Sequence, residues 1–332
     1  MVSSGPSELL LVSFDSTTGW NSAGRELAAS IERAGVAVRR VGTGPPRAVR
    51  TFMLTDFVQA RAARRVAAQA VAGHPPDAII YCSITAALLW PMPGAIWLDS
   101  LAAENRPGRH GLWQRRIERR RLAEAPLVLT MAEDSLRSLP DVDWPGSVTV
   151  PVAVEASGPI NAPRDIDVLA YAGDPRKRRL GFILEQWDLA RREGETLVVT
   201  GFAQASAPPG VRFTGRLDPA EYRALVRRAR VFVAAPQRED FGIAALEALA
   251  DGCQLVTTPA PGPYPALALA RELDPRLVSS ELAPALRSAL DDPRPGYARR
   301  ARELVAPFSR AAVDEVVVKR VLPRLLPRWA PE

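Results

Sequence analysis

The chain is poor in the residues that carry most covalent and metal chemistry. Its 332 residues include two cysteines, two histidines and only two lysines. Cys82 and Cys253 both sit in apolar surroundings, which reads as buried reduced thiols and excludes a disulfide framework. No Cys/His spacing suggests a metal site, so no metal is expected. No apolar run approaches the ~20 residues needed to cross a bilayer. The N-terminus has no positively charged stretch before an apolar one, so no signal peptide and a cytoplasmic location are expected. A G-x-G-x-x-G spacing is also missing, which weakens a dinucleotide-binding reading.

What remains is ordinary for a globular protein: 47% hydrophobic and 24% charged residues. At a prior of ~150 residues per domain, the length fits two domains. The net charge is +6, carried almost wholly by arginine, since Lys177 and Lys319 are the only lysines. A basic balance reads either as affinity for an anionic partner or as arginine-rich genomic composition. The arginines are spread along the chain without any nucleic-acid module, so no nucleic-acid partner is expected.

Apolar strand-like runs alternate with amphipathic helical stretches, the pattern of parallel α/β domains. In the first half, strands are expected near residues 9–14, 36–41, 78–82, 95–98 and 127–130. A loop holding Gly19, Trp20, Asn21 and Gly24 should follow the first strand, with a helix from Arg25 to Ala34 stopped by Gly35. Helices are also expected at 60–71 and 112–125. Pro151, Gly158, Pro159 and Pro163 mark residues 150–167 as a linker. The pattern then restarts, with strands near 168–171, 196–200, 211–214, 231–236 and 255–258. Helices are expected at 181–192, 221–229 and 244–250. The domains are read as 1–155 and 156–310, with a final helix near 311–332 returning to the first.

The most informative segment runs from Glu239 through Asp240, Phe241, Gly242 and Ile243 to Glu247. It directly follows the apolar run 231–236 and opens an alanine-rich helix. One carboxylate therefore falls in a strand-to-helix loop and the other about one turn into the helix. Ligands of open α/β sheets bind at such loops, beyond the carboxyl ends of the strands. A helix N-terminus there offers N–H groups to an anion, and carboxylates accept from vicinal hydroxyls. That combination suits a sugar nucleotide.

The full run from Glu239 to Gly252, with Phe241-Gly242 inside a Glu-x7-Glu spacing, resembles the signature of retaining GT-B glycosyltransferases, such as phosphatidylinositol mannosyltransferases and sucrose synthases. The resemblance implies an α/β GT-B fold: two Rossmann-like domains with parallel sheets facing across a cleft. It implies transfer of a sugar from a nucleotide-sugar substrate to an acceptor, without cofactor or metal. Glu239 would then accept from donor-sugar hydroxyls and Glu247 from the ribose, while the backbone at Gly242 and Ile243 meets sugar and diphosphate. Lys177 would hold the diphosphate with a second cation, Arg176, Arg178 or Arg179, in the loop opened by Gly173. The family arginine after that glycine is Asp174 here.

On the acceptor side, the resemblance brings Gly19, Trp20 and Asn21 near the reacting sugar. Near the donor sugar, many family members have a histidine where this chain has Asp99, the nearest polar candidate for a catalytic contact to a sugar hydroxyl, which reads equally as a cap of the next segment. A family Gly-Gly-x-x-Glu loop is reduced here to Gly262 among prolines. The arginine-rich helix at 112–125 reads as a solvated face or as a contact with an anionic membrane surface. The acceptor is left open among small molecules, lipid-linked compounds and glycans. Two alternatives stand beside transfer: a GT-B protein that binds nucleotide or glycan without catalysis, and a sugar-nucleotide epimerase.

Overall fold

The computed structural model describes residues 7–14, 18–44, 49, 52–106, 108–139 and 146–329. The chain divides into two compact units, one made of residues 1–153 and 310–332, the other of residues 154–309.

The first unit holds β1 (Glu8–Ser13), β2 (Ala37–Gly42), β3 (Ala78–Tyr81), β4 (Ala95–Leu98), β5 (Val128–Thr130) and β6 (Ser147–Thr149). They form one sheet in the order β2-β1-β3-β4-β5-β6, every pair parallel. Leu9, Leu10, Leu11 and Val12 are all fully buried, as expected of a parallel strand covered on both faces. The helices are α1 (Thr18–Arg33), α2 (Phe52–Gly73), α3 (Ile84–Ala87), α4 (Ala102–Asn105) and α5 (Leu112–Glu124).

The expected glycine loop after β1 is a correction. Gly19, Trp20, Asn21 and Gly24 lie in α1, which begins seven residues before the anticipated start at Arg25. Ala23, Leu27, Ala28 and Ile31 are all buried, so the apolar stripe of the helix extends back through this segment. Gly35, with φ of +80°, ends it where expected.

The second unit holds β7 (Ile166–Tyr171), β8 (Leu197–Thr200), β9 (Val211–Gly215), β10 (Ala229–Ala234) and β11 (Gln254–Thr257). Their order is β11-β10-β7-β8-β9, again all parallel. Its helices are α6 (Leu180–Ala190), α7 (Pro219–Arg228), α8 (Ile243–Ala250), α9 (Pro265–Leu273), α10 (Leu282–Asp291) and α11 (Tyr297–Val305). The start of α7 shows how local chemistry sets an element. Asp218 accepts from the Glu221 N–H, Glu221 reaches back to the Asp218 N–H, and Pro219 opens the first turn.

After α11 the chain rejoins the first unit through α12 (Arg310–Val316), a π-helical turn (Val317–Val321) and α13 (Leu322–Leu325). Asp314 on α12 accepts from Ser30 Oγ and Arg33 Nε of α1, both at 2.6 Å.

Each sheet reverses its winding once, between β1 and β3 in the first unit and between β7 and β10 in the second. Loops leaving the carboxyl ends of such neighbouring strands diverge and leave a crevice. The position of the candidate site follows from this topology.

Candidate functional site at the β7–β10 crevice

The loop after β7 covers residues 172–179 and the loop after β10 covers 235–242. They are tied by one main-chain bond, from Gln237 N–H to Lys177 O at 2.9 Å. Both carry residues expected from the sequence.

Glu239 is held by three neighbours. Its N–H donates to Pro261 O at 3.0 Å, its carboxylate takes a hydrogen bond from Arg178 Nη1, and its side chain packs near Gly242. Burial pushes the carboxyl up from its ordinary range, and Asp240 adds to that, while Arg178 and the Gly242 N–H pull it back down. Arg178 itself lies 5.9 Å from the Tyr171 ring centroid. Between these groups is a cleft bordered by Tyr171, Arg178, Glu239, Gly242 and Tyr264, with room for little more than a water-sized molecule.

Two glycines are required here. Gly242 has φ of +82° and caps α8; a Cβ there would sit 2.8 Å from Tyr264 Cε2 and 3.2 Å from Glu239 Cγ. Gly262, at φ of +110°, lies directly against the Glu239 carbonyl and leaves no space for a Cβ. It thus shapes the Glu239 backbone. Phe241 is turned inward, 5% exposed, with its ring centroid 6.0 Å from that of Phe308, so its side chain anchors the loop. Ile243 is half-buried at the first position of α8.

The β7 loop carries Lys177 and the three arginines that are candidates for the second cation. Asp174 Oδ1 accepts from the N–H groups of both Arg176 and Lys177 at 3.1 Å. The residue standing in place of the family arginine is therefore a turn former. Lys177 is exposed, as is Gly173, which lies against the Tyr171 hydroxyl group. Arg178 is the cation of this loop that reaches Glu239, and Arg179 lies 4.2 Å over the Phe182 ring.

Glu247 sits on α8, and Arg223 Nη1 of α7 lies 3.0 Å from its Oε1. Burial pushes this carboxyl up too, Arg223 pulls it down, and Asp251 raises it. Arg223 and Asp251 were missed from the sequence. Asp251 was visible four positions after Glu247, on the same helical face; Arg223 is 24 positions upstream and had no local signal. Tyr171 and Tyr222, ring centroids 5.9 Å apart, were missed as well and bridge the surroundings of the two glutamates.

Asp99 and the acceptor-side residues Gly19, Trp20 and Asn21 all belong to the first unit. Asp99 follows β4 and takes a 2.7 Å bond from the Ser100 N–H. Trp20 and Asn21 are half-buried in the first turns of α1, with Arg40 Nη2 3.5 Å from Asn21 Oδ1, and Gly19 is exposed. Among the described residues no three His, Cys, Asp or Glu side chains group as a metal site. Nor is any described helix long and apolar enough to cross a membrane.

Comparison with known proteins bears on the second unit first. Residues 167–292 match the model of the family "Glycosyl transferases group 1". A 94-residue stretch is 44% identical to the glycogen synthase of Mycobacterium tuberculosis, covering 27% of this chain and 22% of that enzyme. The match thus spans less than a quarter of this relative. Sucrose-phosphate synthase from Thermosynechococcus elongatus superimposes over 94% of this chain and 97% of its own, with a TM-score of 0.70 and 17% identity. Anabaena HepE, solved with UDP-glucose, covers 93% of this chain and 97% of its own at a TM-score of 0.62 and 13% identity. The protein therefore has the α/β fold of GT-B glycosyltransferases, and its second unit carries the group 1 glycosyl transferase match.

Proposed function

We propose that this protein is a retaining glycosyltransferase that moves a sugar from a nucleotide donor to an acceptor. The observation that carries the reading is the pair Glu239, in the loop after β10 that borders the crevice, and Glu247, on the α8 helix that this loop opens, both inside the matched segment. Carboxylates there accept from sugar and ribose hydroxyls. Arg178 and Lys177 supply positive charge where the diphosphate leaves. The UDP-glucose bound to HepE supports a donor of this class.

The reaction breaks the bond between the anomeric carbon and the phosphate oxygen. The acceptor hydroxyl forms the new bond from the same face, and the departing phosphate takes its proton. Charge grows on the leaving diphosphate, so fixed cations lower the barrier most. The protein's own arginines and lysine provide them, and the proposal needs no metal or cofactor. Asp99 is assigned to a hydroxyl of the donor sugar, and Gly19, Trp20 and Asn21 to the acceptor, a small molecule, a lipid-linked compound or a glycan.

We assign α5 to a solvated face in a cytoplasmic protein. Arg115 donates to Arg106 O and Gly108 O, Arg121 to Leu88 O and Glu124, and Arg120 to Glu124, which fixes three of its arginines against the protein's own acceptors. Sedimentation with anionic but not neutral vesicles would overturn that assignment.

The test begins with thermal shifts by UDP, GDP, ADP and their glucose conjugates. A ligand at 100 times its Kd stabilises by about 2.7 kcal/mol. Glu247→Ala, by removing a contact worth roughly tenfold in affinity, should cut the shift of the nucleotide that works to about half at the same ligand concentration. Transfer is then followed by NMR of the product's anomeric carbon. No stabilisation by any nucleotide refutes the donor site, and an inverted anomer refutes retention.

A further inference from the structure

Two carboxylates, Glu247 and Asp251, share one face of α8 and its cap, four positions apart. Like charges at that spacing repel across a helical turn. Both side chains are withdrawn from water, 23% exposed for Glu247 and fully buried for Asp251. One guanidinium bridges them. Arg223 Nη1 lies 3.0 Å from Glu247 Oε1, and Nη2 lies 2.7 Å from Asp251 Oδ2. Arg223 Nη2 also donates to Glu155 O at 2.8 Å.

Asp251 is fixed from behind. Its Oδ1 accepts from the Ser157 N–H at 2.6 Å and its Oδ2 from Ser157 Oγ at 2.7 Å. The orientation of α7, which presents Arg223, is set by the Asp218–Glu221 capping box. Each link from Ser157 to Asp251 to Arg223 to Glu247 is thus held by the one before it. Glu247, at the α8 end, keeps part of its carboxylate side chain in contact with solvent.

We propose that Arg223 is a positioning residue for nucleoside recognition, orienting the Glu247 carboxylate to accept from the vicinal ribose hydroxyls. The proposal rests on the donor-site reading above. Without Arg223, burial and Asp251 both drive Glu247 toward its protonated form. A protonated carboxyl also donates, so it accepts less well from two hydroxyls. A purely structural clamp would weaken every ligand equally. A positioning residue weakens only those that carry the hydroxyls.

Calorimetry with UDP, GDP and ADP and their 2′,3′-dideoxy forms separates the two. In the wild type, the ribonucleotide that binds should exceed its dideoxy form by roughly tenfold or more, the value of a bond to a charged group. In Arg223→Met the ribonucleotide should weaken to within about twofold of the dideoxy form, which itself should hold its wild-type affinity. The wild-type ratio surviving in a folded Arg223→Met overturns the proposal. If that variant does not fold, Arg223→Lys, which keeps the charge but not the two-pronged geometry, should lower the ratio at least about threefold, and an unchanged ratio overturns it. A wild type that binds a nucleotide but ignores its ribose hydroxyls also overturns it. A wild type that binds none of the six removes the donor-site reading itself, and this proposal with it.

Discussion

Glu118 of the first unit and Glu239 of the second are both carboxylates withdrawn from water, yet they are held in opposite ways. Glu118 is 2% exposed on α5, and its Oε2 accepts the Ala102 N–H at 2.8 Å. Burial pushes it up to about 7, against the pull of Arg119 and Arg115. Glu239 stands at a strand-order reversal, keeps 13% of its side chain exposed and is paired directly with Arg178. The first arrangement joins α5 to the start of α4 and leaves nothing for a ligand. The second holds a carboxylate at the mouth of a crevice with a counter-charge that an anion can claim. On the reading proposed above, what sets Glu239 apart is its charged partner at the sheet's switch point, not burial alone.

The sharpest way to break this contrast is Glu239→Ala. Loss of a charged acceptor to the donor sugar should lower kcat roughly 100-fold, about 3 kcal/mol of transition-state stabilisation, while nucleotide affinity stays within a few-fold. Steady-state kinetics with calorimetry of the free nucleotide checks it. Wild-type turnover would leave Glu239 no more functional than Glu118. Next in size is Gly242→Ala, which forces a side chain into positive φ and against Tyr264 and Glu239. It should cost about 2 kcal/mol of stability, read as a lowered denaturant midpoint. A neutral outcome would mean that the loop relaxes freely and does not preorganise Glu239.

The unequal legibility of the two units has the same origin. In the second, α8 starts at Ile243, one residue from its expected place, because the strand, loop and helix are all encoded within about twenty consecutive residues. The partners of its glutamates were not legible. Arg223 comes from another helix, and Arg178 is singled out from Arg176 and Arg179 as the partner of Glu239 by the turn that Asp174 closes, which the sequence does not show. In the first unit, the glycines at 19 and 24 read as a loop, whereas the buried face formed with Ala23 and Leu27 makes them helical. The short strand β6 and helices α3 and α4 offered too few residues for a periodic signal. Glu118 looked like one more charge on a basic helix, since nothing local shows that Ala102 N–H faces it.

The smallest effect sharpens the other side of the comparison. A carboxyl whose folded value is raised binds its proton more tightly in the folded state than in the unfolded one. Between the ordinary value of 4.5 and about 7 the folded state therefore holds more protons, and stability falls as pH rises through that window. Below 4.5 both states are protonated, and the contribution of Glu118 is fully present. Above about 7 it is fully lost, because the folded protein must then bury an anion. Glu118→Gln keeps the acceptor for Ala102 N–H and removes the titration. It should leave the melting temperature near wild type at pH 4.5 and raise stability by the order of 1 kcal/mol at pH 8. Catalysis at neutral pH should not change. A gain equal at both pH values would mean that Glu118 stays ionised in the fold, through Arg115 or Arg119. It would then be held, like Glu239, by a charged neighbour in addition to a main-chain N–H.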